Sequence, residues 1–212
     1  MKNLFKFIGH YWKAVIAIVA ILAVQAYCDL SLPAYTSDIV NVGIQQGGIE
    51  DKVPAAISEE EWNKVMLFVS QKDQDTVKDA YEKDESSYDK TAFVLKDFVK
   101  EDETALKKVE DVLALPMMVT SGFESGSKQT QKMEKKLKKQ IPKEMLTEDT
   151  TVFDILQMMP QESREELVKE IKKEMKDMPD MILEQAAVSY AKTAYQDLGM
   201  DVDQMQYHYL FT

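Results

Sequence analysis

Hydrophobic positions divide the chain into two unlike parts. Residues 14–28, AVIAIVAILAVQAYC, form an apolar run in which Gln25 is the only strongly polar side chain. An α-helix rises about 1.5 Å per residue, so this run covers roughly 22 Å of a hydrocarbon core about 30 Å thick. Tyr11 and Trp12 lengthen it, because both suit a headgroup interface, and Lys13 can return its ammonium to water while its stem stays in lipid. Residues 8–28 therefore predict a membrane-spanning helix. Gln25, Asp29, Pro33 and Thr36 follow at intervals of four, four and three, which puts them on one face if the helix continues outward. Pro33 has no N–H and leaves the Asp29 carbonyl unbonded, so a bend is expected there.

Two other readings fit the apolar run. A secretory signal also has a basic start, an apolar centre and small residues at the cut, and Val24-Gln25-Ala26 is an acceptable cleavage pattern. A lipoprotein signal fits poorly, because Tyr27 is too bulky before Cys28. A buried helix of a soluble protein is weakened by the lack of a polar face before Gln25.

Beyond Gly47-Gly48 and Pro54 the pattern changes to shorter amphipathic stretches. Ser58-Glu59-Glu60-Glu61 reads as a capping box opening a helix that carries Trp62, Val65, Met66 and Val69 on one face. Residues 74–83 are weakly patterned. A helical segment over 87–100 carries Ala92, Leu95, Phe98 and Val99. Another over 103–115 carries Leu106, Val109, Val112 and Leu113, with Pro116 ending it. Residues 122–127 read as a loop, and residues 128–140 as a basic helix. Thr150 or Thr151 caps a short helix holding Phe153, Leu156 and Met159, closed by Pro160. Ser163-Arg164-Glu165-Glu166 reads as a second capping box, before a stripe of Leu167, Ile171, Met175 and Met178. Residues 180–198 present Leu183, Ala187, Tyr190, Ala194 and Leu198, with Gly199 suited to a left-handed helix end. This helix is the expected centre of the bundle.

Charge sharpens the division. The 212 residues carry 26 basic and 37 acidic side chains, a net charge of −11 that argues against nucleic acid as a partner. Before Asp29 stand Lys2, Lys6 and Lys13 with no acid, leaving 23 basic against 37 acidic side chains beyond. A positive flank followed by a negative domain fits an N-terminus in the cytoplasm and the bulk of the chain outside. Residues 1–9, MKNLFKFIG, are basic and aromatic and suit the inner membrane surface. Cys28 is the only cysteine, so packing alone must hold the domain.

CDLSLPAYTSDIVNVGIQQGGIE, residues 28–50, resembles the outer end of the first transmembrane helix of multidrug-type ABC exporters from Gram-positive bacteria. There leucine, proline and Ser-Asp-Ile-Val-Asn-x-Gly-Ile stand at these spacings. Some of these transporters hold a large helical extracellular insertion between their first and second transmembrane helices. The resemblance implies a cytoplasmic elbow at residues 1–9, a first transmembrane helix with its outer extension at 10–44, and an extracellular helical domain at 45–205. Residues 206–212 would then approach a second transmembrane helix. It further implies the cell membrane as location. The partners would be the remaining transmembrane helices and a nucleotide-binding domain using ATP and Mg, in a homodimer or heterodimer. Polar groups inside a membrane are costly unless they face protein or water, so Gln25, Asp29, Pro33 and Thr36 become candidates for the translocation path or its outer gate. Asp29 could equally mark the outer interface.

Catalytic chemistry finds little support. His10 and His208 are the only histidines and neither has a cysteine or second histidine at metal spacing. Ser121-Gly122-Phe123-Glu124-Ser125-Gly126-Ser127-Lys128 departs from the phosphate loop in its glycine spacing and its ending. The chain is read as no enzyme by itself, with no catalytic, cofactor or metal residues. Asp73, Asp75 and Asp79, like Asp197, Asp201 and Asp203, lack the glycine and bidentate glutamate of a calcium loop. Lys128, Lys132, Lys135, Lys136, Lys138, Lys139 and Lys143 form the one basic cluster, either a solvated face or a site for headgroups, an anionic wall polymer or an acidic helix. Met117, Met118, Met158, Met159, Met175, Met178 and Met181 serve as core filling or as an adaptable groove. The expected fold is all-α: one N-terminal transmembrane helix, then a helical extracellular domain. The expected function is that of the N-terminal part of an ABC exporter subunit, for drugs, lipids or peptides. A self-contained membrane-anchored or secreted helical binding protein is the alternative.

Overall fold

The structure, a computed structural model, describes residues 12–126, 128–140, 147 and 150–211. The expected elbow at residues 1–9, His10, Tyr11 and Lys143 lie outside the described residues. The chain is mostly helical, with one apolar helix near its N-terminus followed by a helical domain. It divides between Gln45 and Gln46 into two units.

The first unit is a single long helix. Helix α1 spans Trp12–Asp38, passes through Pro33, and runs on in wider i→i+5 turns over Ile39–Gln45. Ser31 and Thr36 hydroxyls donate to the Tyr27 and Leu32 carbonyls one turn back, both at 2.8 Å, so these polar groups are satisfied by their own helix. Ile16, Ile18, Val19, Ile21, Leu22 and Val24 are all exposed. By length and composition Ile16–Val42 suffices to cross a membrane, a measure that signal sequences and soluble core helices also meet.

The second unit combines helices with a small sheet. Strands β1 (Ala56–Ser58), β2 (Tyr81–Asp84) and β3 (Ala92–Leu95) pair antiparallel in the order β1-β3-β2, with Ala56 opposite Val94 and Tyr81 opposite Leu95. Helices α2 (Glu59–Met66) and α3 (Gln71–Ala80) lie between the first two strands, and α4 (Asp97–Glu101) and α5 (Glu103–Glu124) follow the third. Then come α6 (Lys128–Gln140), α7 (Val152–Met158), α8 (Gln161–Glu174), α9 (Asp180–Asp197) and α10 (Val202–Phe211).

The sheet corrects the helical expectation over 87–100. Phe93 and Leu95 face the main core, whereas Ala92 and Val94 join a small cluster with Ala56 and Leu198 on the other face. A strand covered on both faces reads as an unbroken apolar run, which spacing alone cannot tell from a helix. Phe98, assigned to the buried stripe, is 60% exposed.

Pro116 likewise does not end its helix. Helix α5 continues through it to Glu124, so Gly122 is helical and the expected loop shrinks to the turn after Glu124. A mid-helix proline costs about 3 kcal/mol. Burying Met117, Val119 and Phe123 beyond it returns about 1.5–3 kcal/mol each, which outweighs that cost.

Two apolar clusters fill the domain. The main one joins Trp62, Val65, Val77, Leu95, Val109, Leu113, Met117, Ala187, Tyr190 and Ala194, so α5 and α9 pack together through their small and medium side chains. A second gathers Phe68, Val119, Phe123, Leu137, Ile155, Leu156 and Ile171. Helix α9 also offers Val188, Ala191 and Tyr195 to a third group with Ile49 and Val202. Its placement among the other elements follows from apolar positions on two adjoining faces. Gly199 ends it at φ 75°, a left-handed conformation that favours glycine.

Candidate functional site

On α1, Gln25, Asp29, Pro33 and Thr36 are all exposed. The helix is continuous over them, so at 100° per residue they fall within about 80° of arc. Only Gln25 of the four lies within the apolar run 14–28; the others stand in the outer half of α1.

In the second unit, the first and last segments meet. Residues 47–55 lie along α9, where Ile49 is buried against Val188, Ala191, Tyr195 and Val202. Lys52 pairs with Glu184 at 2.8 Å. The Tyr195 hydroxyl donates to Asp51 Oδ2 at 2.6 Å and accepts from the Ala55 N–H at 2.8 Å. The Tyr81 hydroxyl donates to the Pro54 carbonyl at 2.8 Å. Burial and the Asp51 charge both push the Tyr195 hydroxyl well above the usual tyrosine range, so it stays a donor. Gly48, at φ 75°, sits so close to α10 that a Cβ there would fall 2.6 Å from Gln206 Cα and 3.0 Å from Tyr209 Cβ. Backbone thus packs on backbone where the chain arrives and where it leaves. Sequence reasoning flagged Gly47-Gly48 only as a boundary; their close packing on α10 and Lys192 carried no local signal.

A second constellation joins α2, α5 and α9. Ser58 caps α2 by accepting from the Glu61 N–H at 3.3 Å, as the capping box predicts. The reciprocal half departs from that box: the Glu61 carboxylate turns inward, accepting from the Tyr190 hydroxyl at 2.7 Å and from Lys64 at 2.6 Å. Lys64 also pairs with Glu124 at 3.0 Å and Glu60 at 3.1 Å, and lies 5.6 Å from the Phe153 ring centroid. Burial works against the Lys64 ammonium, but Glu61, Glu124 and Glu60 outweigh it and hold its pKa above the ordinary lysine value. Burial lifts the Glu124 carboxyl above its ordinary value; Lys64 opposes that lift and the Glu61 charge adds to it. The arrangement ties three helices together.

The second capping box does not form. Helix α8 begins at Gln161, behind Pro160, so Ser163 already lies inside its first turn. Glu165, next to the expected partner Glu166, accepts from the Gln71 N–H at 2.5 Å, satisfying the start of α3. Of the two candidate caps it is Thr151 that caps α7, and Asp154 answers it in a full capping box.

The remaining groups divide as follows. Asp73 bonds the Ser70 hydroxyl and Lys172, and Asp197 pairs with Lys90 at 2.6 Å. Among the described residues no group of three or more His, Cys, Asp or Glu could hold a metal ion. Met117 belongs to the main core, Met159 and Met175 border the second, and Met158 and Met181 are exposed, so the methionines do not form one surface. His208 lies on α10. The two best-formed cavities among the described residues have about 10 and 20 Å³, room for little more than a water, far below a small-molecule site. No protein-family profile matches the chain, and no curated protein or solved structure matches it either.

Proposed function

We propose that the chain is the N-terminal part of an ATP-driven exporter subunit of the multidrug ABC type. In this reading α1 crosses the cell membrane from a cytoplasmic N-terminus and lines the path with Gln25, Asp29, Pro33 and Thr36. The second unit lies outside and caps or gates the exit for drugs, lipids or peptides. ATP and Mg belong to a nucleotide-binding domain beyond these residues, in a homodimer or heterodimer.

One observation carries the proposal: Gly48 packs directly on α10, so the domain's first and last segments lie side by side. A domain with neighbouring ends can be inserted between two adjacent membrane helices without forcing them apart. The charge order agrees, since lysines alone precede Asp29 and acids predominate after it.

Reading the DNA beyond the Thr212 codon tests the proposal. An open frame with further apolar segments and an ATP-binding domain is expected, and an immediate stop codon defeats it. Topology is tested in a Cys28→Ser background, where Glu85→Cys, 73% exposed at its side chain, should react with an impermeant maleimide in intact cells. Reaction only after lysis would place the domain on the wrong side. Deleting residues 50–200 from the complete transporter should impair export, and unchanged transport would remove the gating role.

A further inference from the structure

We propose that the outward face of α6 binds a linear phosphate polymer. The assignment rests on α6 alone and does not depend on the exporter reading.

Helix α6, KQTQKMEKKLKKQ, holds six lysines and one glutamate, whereas every other described helix carries a net negative charge. Its attachment to the domain uses none of the excess charge. Leu137 is buried and Met133 packs against the second core. At the helix start, Thr130 donates to the Gly122 carbonyl at 2.7 Å and Gln131 to the Gly126 carbonyl at 2.8 Å. Lys138 pairs with Glu134 at 2.7 Å. Lys132, Lys135 and Lys136 are exposed and make no ion pair among the described residues. They stand three and four residues apart, opposite Met133 and Leu137, and Lys128 and Lys139 continue the same spacing along the sequence. Like charges at this spacing repel, and no ion pair among the described residues relieves these three.

The form of the site selects the ligand. The lysines follow one another along a single helix, and the two best-formed cavities among the described residues are lined by none of them. A row of mobile point charges suits a row of phosphates. A protein partner would need an apolar centre to its interface, but the apolar side chains of α6 face inward. An anionic lipid surface would hold the row by charge alone, without the apolar insertion that secures a helix at an interface. The cluster that seats α6 includes no residue of 47–55 or of α10, so the row stands apart from the segments where the domain begins and ends.

The test uses the full chain in phosphatidylcholine nanodiscs, titrated with polyphosphate at several salt concentrations. Binding should weaken with salt. The triple variant Lys132→Gln, Lys135→Gln, Lys136→Gln should bind about tenfold or more weakly, with the log–log salt slope reduced by about 2 at roughly 0.7 per cation. The corresponding Lys→Arg triple should bind as the parent does. A control with Lys169→Gln, Lys173→Gln and Lys176→Gln, equal in charge and also exposed, should stay within about twofold. Absence of polyphosphate binding at low salt overturns the proposal, as does an equal loss in the control. Stronger capture by phosphatidylglycerol vesicles at equal phosphate overturns it in favour of a lipid surface. Preference for polyglutamate overturns it in favour of an acidic protein.

Discussion

The Tyr190 hydroxyl donates to Glu61 Oε2 at 2.7 Å, joining residues 129 positions apart inside the main core. Each needs the other, because Tyr190 is 1% exposed and Glu61 is 7% exposed. Removing the donor alone, as Tyr190→Phe, should cost about 1–2 kcal/mol. Glu61→Leu, which strands the Tyr190 hydroxyl and removes one of the partners of Lys64, should cost about 2–3 kcal/mol. Urea unfolding followed by Trp62 fluorescence in a Trp12→Phe background measures both. Additive losses in the double variant would show that the pair is not coupled.

Alkaline pH should weaken the domain through the same pair. Burial, joined by the Glu61 charge, raises the Tyr190 pKa above its ordinary 10.0, and the carboxylates around Lys64 raise that group above its ordinary 10.5. The folded state therefore keeps protons that the unfolded chain releases. The stabilisation is complete below about pH 10 and falls as pH rises beyond the unfolded values. Unfolding midpoints measured between pH 8 and pH 11 should decline above pH 10, less steeply for Tyr190→Phe. Identical slopes would refute the assignment to this tyrosine.

Gly48 and Gly199 share a φ of 75° but not their surroundings. An added Cβ at Gly199 meets nothing within 4 Å, whereas at Gly48 it meets the α10 backbone at 2.6 Å. Gly199→Ala should cost about 1–2 kcal/mol for the left-handed backbone alone. Gly48→Ala should cost about 1–3 kcal/mol more, since backbone must shift. Thermal melts that rank the two equally would contradict the close approach.

Tyr195→Phe should free the arriving segment without unfolding the domain. It removes the donor to Asp51 and the acceptor for the Ala55 N–H, at a cost of about 1–2 kcal/mol. Amide exchange should accelerate across residues 49–56 and stay unchanged in α5. Uniform acceleration everywhere would mean that Tyr195 supports the global fold and not this junction.

Under the exporter reading, Asp29→Leu should reduce efflux by the complete transporter while leaving its abundance unchanged. The carboxylate stands in a polar stripe where charge is costly unless it meets water or protein. Efflux equal to the parent's, measured with matched membrane levels, would remove Asp29 from the path.

Much of the helical plan is legible locally. The spacing of Leu167 and Ile171, the Thr151 cap and the glycine after Leu198 each act within a turn or two, so sequence places α7, α8 and α9 closely. Two carboxylates show the limit of that approach. Glu61 stands three residues after Ser58, where a reciprocal cap would want it, yet is drawn away to Tyr190, and Glu165, next to the expected partner Glu166, is held by the distant start of α3. The same applies to the candidate site: the stripe on α1 follows from intervals in the sequence, but that Lys132, Lys135 and Lys136 on α6 make no ion pair among the described residues is known only from the structure.

By itself the sequence determined one long apolar helix, a mostly helical domain behind it, and the positions of the polar and basic faces on which the proposals rest. Those features depend on periodicity and on neighbours a few residues away. Tertiary structure alone decided that Ala92–Leu95 would be a strand, that α5 would run through Pro116, and that Gly48 would meet α10. Each of these outcomes is set by burial against residues far along the chain, whose free energy outweighs the local preference and leaves no mark in the local pattern.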